Sequence, residues 1–275
     1  MPTTYRKVLN QGTSNPIVAR ITVQSDTIMG PFPIQADSKA KIFSININLC
    51  QRLLGMEEFA TWQERECEAI RANFLDSGLK KIGDDAFEAP FVIDLDSRVE
   101  SYLQAAKLCI RDCGLIFGAL VGTTFDHKYH RIVKWAEGKF GKEDEWVQWL
   151  AAQHTWVKQI LDMRNALEHP TDGPRGQLHI RNVDFKFSAG RVSGEAPLWF
   201  LTGEPPTAIL IDAQKINTKI LVLAEEILAS TILKLYPEIP LAIQEIPKER
   251  RDPKCTVRLE LVPRGFLSSA YTACS

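Results

Sequence analysis

Residues 145–170 read Glu145-Trp-Val-Gln-Trp-Leu-Ala-Ala-Gln-His-Thr-Trp-Val-Lys-Gln-Ile-Leu-Asp-Met-Arg164-Asn-Ala-Leu-Glu-His169-Pro170. Trp146, Trp149, Leu150, Val157 and Ile160 recur at three- and four-residue intervals, the spacing of an amphipathic helix. At about 100° per residue, Arg164 falls near the centre of that apolar stripe. Arginine is almost never fully buried unless paired, so a permanent charge stands where a packing residue is expected. His169 precedes Pro170, and proline disfavours the α conformation in the residue before it. The spacing therefore predicts a helix that ends at or just before His169. On a straight helix, residues five apart point about 140° from each other. A helix that stops at the histidine relaxes that restriction and can let both side chains face one cleft.

Working outward, helical periodicity covers about 43–75, with a possible interruption near Gly55. A second helix begins after Asp94 or Asp96 and runs to about Val121, with Tyr102, Ala106, Cys109, Ile110, Cys113, Ile116 and Phe117 on its apolar face. A third covers about 126–140. Glu143-Asp-Glu145 opens the long helix, and acidic residues in a first turn suit the helix dipole. After Pro170 the texture changes. Leu178, Ile180, Val183, Phe185 and Phe187 suggest a strand, with a bulge where the alternation slips at Arg181-Asn182, and residues 192–201 can return antiparallel. The last helix opens at Ile211-Asp212 and stops at Tyr236-Pro237. Short alternating stretches at 17–24 and 255–262 read as further β elements. The expected fold is mainly α. It is an antiparallel four- or five-helix bundle with a small antiparallel β-sheet inserted before the last long helix, α+β overall. One domain is expected over residues 1–275, its bundle formed by roughly 43–170 plus 212–236, with β elements at roughly 17–24, 177–201 and 255–262.

The 275 residues carry a net charge of −1, so any nucleic-acid binding must use a local patch. The N-terminus lacks an apolar signal-peptide core. The apolar run at 115–121 is too short to span a bilayer, so no membrane partner is expected. The six cysteines match neither a zinc ribbon nor a CxxC pair. Cys109 and Cys113, four apart on one helix face, read as small core residues, and the usage fits a reducing cytoplasm.

Arg164 and His169 are suited to phosphodiesters. The ribose 2′-OH of RNA can attack its neighbouring phosphate if a base takes its proton, an acid protonates the leaving oxygen and positive charge stabilises the phosphorane. Histidine as a residue type serves as acid or base near neutral pH, and the arginine fork matches phosphate oxygens. Asn165 is placed to orient the histidine or bond a phosphate oxygen. The chemistry needs no metal or other cofactor.

On these residues the chain resembles the HEPN superfamily, helical-bundle domains of prokaryotic toxin, abortive-infection and RNA-guided defence systems. Their signature is Arg, a polar residue that is often Asn, three variable residues, then His. Here it reads Arg164, Asn165, Ala166-Leu167-Glu168, His169. The resemblance covers roughly 43–236 by helix pattern, and six residues by motif. It implies a homodimer whose two motifs line one cleft and which cuts RNA without metal in a toxin–antitoxin or antiviral defence setting. Arg164 would bind the scissile phosphate, His169 would act as acid or base, and Asn165 would support them. An antitoxin or regulatory protein would be a possible restraining partner. The inserted sheet is not part of the family's minimal bundle.

Two other readings stand beside this one. The chain can be a non-catalytic member of the same fold, a dimerisation module that binds RNA or a protein partner. Alternatively, Arg164 can be a buried structural arginine paired with a carboxylate such as Asp162 or Glu100, with His169 merely favoured at a helix C-terminus. A shared, solvent-open cleft holding Arg164 and His169 favours catalysis, whereas the enzyme reading fails if Arg164 is fully buried against a carboxylate. Elsewhere, His127, His130, Arg131 and Lys134 form a basic stripe on the third helix, a candidate RNA-backbone contact or a solvated face. No third ligand accompanies His127 and His130, so no metal site is expected. Trp146, Trp149 and Trp156 can stack bases, but their helical spacing points to a core or a dimer interface.

Overall fold

The computed structural model describes residues 9–83, 87–125, 128–169, 176–188 and 191–266. The chain is mainly helical with small antiparallel sheets. The long helices are α3 (Ala36–Ser77), α4 (Leu95–Val121), α6 (Glu145–Glu168) and α7 (Ile209–Leu235); α1 (Pro16–Val18), α2 (Ser25–Met29) and α5 (Tyr129–Phe140) are shorter. By contacts the chain divides into two compact units. One comprises Met1–Leu54, Leu108–Val157 and Lys219–Ser275; the other comprises Gly55–Lys107 and Lys158–Thr218. The boundaries fall inside α3, α4, α6 and α7.

In the first unit, α6 and α7 run antiparallel. Trp146 Nε1 donates to Ser230 Oγ at 3.0 Å, and the Lys219 ammonium lies 5.7 Å from the Trp156 ring centre. Leu150, Val157, Ile220, Leu223 and Ile227 are buried there, with Cys109, Cys113 and Phe117 of α4. Cys109 and Cys113 are thus core residues, and burial pushes both thiols far above their ordinary range.

Asp144 caps α6, accepting from the Trp146 and Val147 backbone N–H groups at 3.1 and 3.4 Å, and it pairs with Lys234. The Lys234 hydrogen bond holds the Asp144 carboxyl below the usual range. Asp144→Ala is expected to cost about 0.5–2 kcal/mol in urea denaturation at neutral pH, the usual worth of such a cap. A carboxyl lowered on folding contributes stability that is complete above its unfolded pKa and is lost as pH falls through its folded value. The gap between wild type and variant should therefore close in acid. A gap independent of pH contradicts this assignment.

The expected strand at 17–24 is instead helical, a correction. α1, a π-helical turn over Ala19–Gln24 and α2 follow one another directly. The Asn15 side chain accepts from Ile17 N at 2.8 Å, and Pro16 takes the first helical position, where its missing N–H costs nothing. The buried positions Ile17, Val18, Ala19, Ile21, Gln24, Ser25, Ile28 and Met29 follow a helical spacing rather than an alternation.

In the second unit, α3 and α4 run antiparallel. The Phe59 and Tyr102 rings lie 4.7 Å apart, and the Arg98 guanidinium sits 4.1 Å over the Trp62 ring. α3 continues through Gly55 without a break. Asn217 of α7 accepts from the Tyr102 hydroxyl at 2.9 Å and donates to Met56 O at 3.2 Å. The inserted sheet has three antiparallel strands in the order β3 (Leu178–Arg181), β6 (Leu198–Leu201) and β7 (Thr207–Ala208). The pair β4 (Asp184–Ser188) and β5 (Arg191–Glu195) forms a separate hairpin.

The expected bulge at Arg181-Asn182 is a full break between β3 and β4. Asn182 holds it by accepting from Val92 N at 2.7 Å and donating to Val92 O at 2.8 Å. Trp199 of β6 is buried and donates to Asp212 Oδ2 at 2.9 Å, which ties the sheet to the start of α7. Two further antiparallel pairs occur, β1 (Lys80–Lys81) with β2 (Phe87–Glu88), and β8 (Leu241–Glu245) with β9 (Leu259–Pro263). The expected element at 255–262 is thus β9, starting at Leu259.

Candidate functional site

α6 ends at Glu168, and His169 N still donates to Asn165 O at 2.9 Å, closing the last turn. Pro170 and the residues up to 175 lie outside the described residues. The end of the helix is two-sided. Met163, Arg164 and Ala166 face inward, whereas Asn165, Glu168 and His169 are exposed.

Arg164 is 6 % exposed. Its Nε donates to Gln104 Oε1 of α4 at 2.7 Å, and one terminal nitrogen pairs with Glu168 Oε1 one turn along its own helix. The other terminal nitrogen is buried and has no hydrogen-bond partner among the described residues. Glu168 also faces α4. Its Oε2 lies 3.4 Å from Lys107 Nζ, and the two side chains are 35 % and 22 % exposed. Burial alone pushes the Glu168 carboxyl up, but hydrogen bonding and charge from Arg164 and Lys107 outweigh it and hold the group below the usual carboxylate range. Two cations from two helices thus converge on one anionic side chain at the helix end beside His169.

Neither carboxylate expected for a structural Arg164 is its partner. Asp162 takes Lys158 at 3.1 Å, and Glu100 lines a cavity of about 620 Å³ with Asp96, Ser97, Leu167, His179 and Arg181. The environment of Arg164 falls nearer the structural outcome than an open cleft, since the guanidinium is buried and one partner is a carboxylate. Two facts separate it from a fully satisfied structural arginine. That carboxylate is about a third exposed, and one guanidinium nitrogen is unpaired among the described residues.

The sequence pattern missed Gln104 and Lys107. They lie three residues apart on α4, beside the buried Tyr102, Leu103 and Ala106. Their spacing on one face was visible in the sequence. Their register against α6, some sixty residues later, was not.

His130, Arg131 and Lys134 are exposed on α5 and belong to the first unit, whereas Arg164, Asn165 and His169 belong to the second. The His130 and His154 rings lie 6.4 Å apart, and Tyr129 stacks on His154. His127 lies outside the described residues. Trp146 is packed between helices, stacked on Phe117 with ring centres 6.1 Å apart. Trp156 is half-buried and donates to Gln153 at 2.9 Å. Among the described residues, no three His, Cys, Asp or Glu side chains are grouped to hold a metal ion, and no helix is long and apolar enough to cross a membrane. No family model, curated protein or solved structure matches this chain.

Proposed function

We propose that this chain is a metal-independent endoribonuclease of the HEPN kind. It would cleave RNA by attack of the 2′-OH on the adjacent phosphate, at a site formed around Arg164 and His169 when two protomers pair in the cytoplasm. One observation carries this reading. A buried guanidinium with one nitrogen unpaired among the described residues lies one turn from an exposed histidine at a helix terminus, and an exposed asparagine separates them on the helix. A structural arginine would normally satisfy its buried donors. Here one nitrogen is left over among the described residues, and phosphate oxygens are what an arginine fork binds best.

In this mechanism the guanidinium stabilises negative charge on the phosphorane. The His169 imidazole either takes the 2′-OH proton or delivers a proton to the departing 5′ oxygen. A single exposed imidazole supplies one of these roles, so a second protomer's motif would supply the other. Asn165 would hold a phosphate oxygen or the ring. A toxin or antiphage-defence setting, with an antitoxin or regulatory protein as restraint, follows from the family resemblance alone.

The burial of Arg164 against Glu168 favours a second reading, a non-catalytic HEPN-like dimer that binds RNA or a protein partner. The two are separated by incubating the protein with a mixed single-stranded RNA pool and the same sequences as DNA, both in EDTA. Cleavage of RNA alone, leaving 2′,3′-cyclic phosphate ends, is the expected result. Equal cleavage of DNA overturns the mechanism. RNA retention without cleavage transfers the proposal to the binding module.

A further inference from the structure

We propose that the Glu168 carboxylate occupies the position of the substrate phosphate, and that Lys107 of α4 is a second phosphate-binding residue of the site. This deepens the ribonuclease reading and rests on it. The argument starts from what surrounds Glu168. One carboxylate oxygen meets a terminal nitrogen of Arg164 and the other lies 3.4 Å from Lys107 Nζ, so the anion bridges two cations carried by different helices. A non-bridging pair of phosphate oxygens has nearly the same bite as a carboxylate and takes the same donors. Gln104 fixes the guanidinium from behind through Nε, so the fork keeps its direction when Glu168 leaves.

Glu168 is free to leave. It is the terminal residue of α6 and about a third exposed, so its side chain has water to swing into, and an incoming phosphate takes over its pairing with the buried Arg164. Arg164 cannot follow, because it is buried and held by α4. The resting chain therefore satisfies its own cations with an internal anion, and RNA must displace that anion to bind. The same contact reconciles a buried, carboxylate-paired arginine with a phosphate-binding role.

The test uses a fluorescent 2′-O-methyl RNA oligonucleotide, which cannot be cut by 2′-OH attack, and the full chain as wild type, Glu168→Gln, Lys107→Ala and the double variant. Glu168→Gln is expected to bind the oligonucleotide about tenfold or more tightly, because the charged competitor is gone while an acceptor for Arg164 remains. Lys107→Ala is expected to weaken binding about tenfold in either background, and to lower the slope of log affinity against log salt by about 0.7, the loss of one phosphate contact on a single strand. A merely structural lysine would leave that slope unchanged. Unchanged or weaker binding by Glu168→Gln, or an unaltered salt slope for Lys107→Ala, overturns the proposal. If Glu168→Gln does not fold, Glu168→Asp serves instead. Its shorter arm cannot bridge both cations, and tighter binding than wild type is again expected. Because the readout is binding, tighter binding with no RNA cleavage by wild type or by Glu168→Gln supports this phosphate site and transfers the function to the binding module. Cleavage by wild type with no gain for Glu168→Gln does the reverse.

Discussion

His169→Ala is expected to lower the rate of RNA cleavage about 10²- to 10⁴-fold, the usual worth of one general acid or base. The structure makes this substitution clean. His169 is exposed and lies one residue beyond α6, and its backbone N–H bond to Asn165 O survives in alanine. Nothing buried is emptied, so the melting temperature should match that of wild type. Initial rates at matched dimer content, on RNA mapped for its preferred cut, provide the measurement. A variant that cuts as fast as wild type removes His169 from the chemistry. The effect on binding should be small, since the phosphate is assigned to Arg164 and Lys107 rather than to the imidazole.

The largest stability effect is expected far from that helix end, at Glu225. This carboxylate on α7 is fully buried (0 % exposed). It accepts from Arg20 Nε at 2.6 Å, Gln24 Nε2 at 2.8 Å and Arg258 Nε at 3.0 Å. Arg258 continues the network to Glu226 and Glu245, each at 3.1 Å. The Gln24 side-chain oxygen Oε1 accepts from the backbone N–H groups of Arg258 and Leu259 at 2.6 and 2.7 Å. The network thus fastens the helical segment at the start of the described chain to α7 and to the entry of β9.

Removing one partner of such a buried cluster leaves uncompensated charge in the interior, typically a cost of about 3–5 kcal/mol. Against a total stability of about 5–15 kcal/mol, that is a large fraction. Glu225→Ala is therefore expected to shift the urea midpoint strongly toward zero denaturant. A loss under about 1 kcal/mol would mean that the two arginines find water instead, and that the cluster is not holding the segment.

The helices α4, α6 and α7 were legible in the sequence because each carries an apolar stripe at the helical period and a clear stop. Tyr102, Ala106, Cys109 and Cys113 on α4, and Leu150, Val157 and Ile160 on α6, are all buried as their spacing predicts. The end of α6 was legible for a different reason, because proline disfavours the conformation that His169 would need to continue it. The first helical segment was not. Ile17-Val-Ala-Arg-Ile-Thr-Val23 is rich in β-branched residues and reads as a strand, but Asn15-Pro16 is a cap followed by a first-turn proline, and capping prevailed over residue preference.

The site divides along the same line. That Arg164 needed a partner followed from its place on an apolar stripe. Which partner it took did not follow, since Gln104 and Lys107 reach it only through the packing of α4 on α6. Glu168 was already in the quoted stretch, four residues along. An Arg and a Glu at that separation on a helix face each other, so this contact could have been read from spacing alone.

The measurement that tests the central claim most directly replaces one ribose by 2′-deoxyribose, immediately 5′ of a mapped cut, in an RNA otherwise unchanged, and repeats the digestion in EDTA. Attack by the neighbouring 2′-OH requires that oxygen, so cleavage is expected to vanish at the substituted position and to persist elsewhere. Cleavage that continues at the 2′-deoxy position would mean that water is the nucleophile, and would contradict transesterification at the Arg164–His169 helix end.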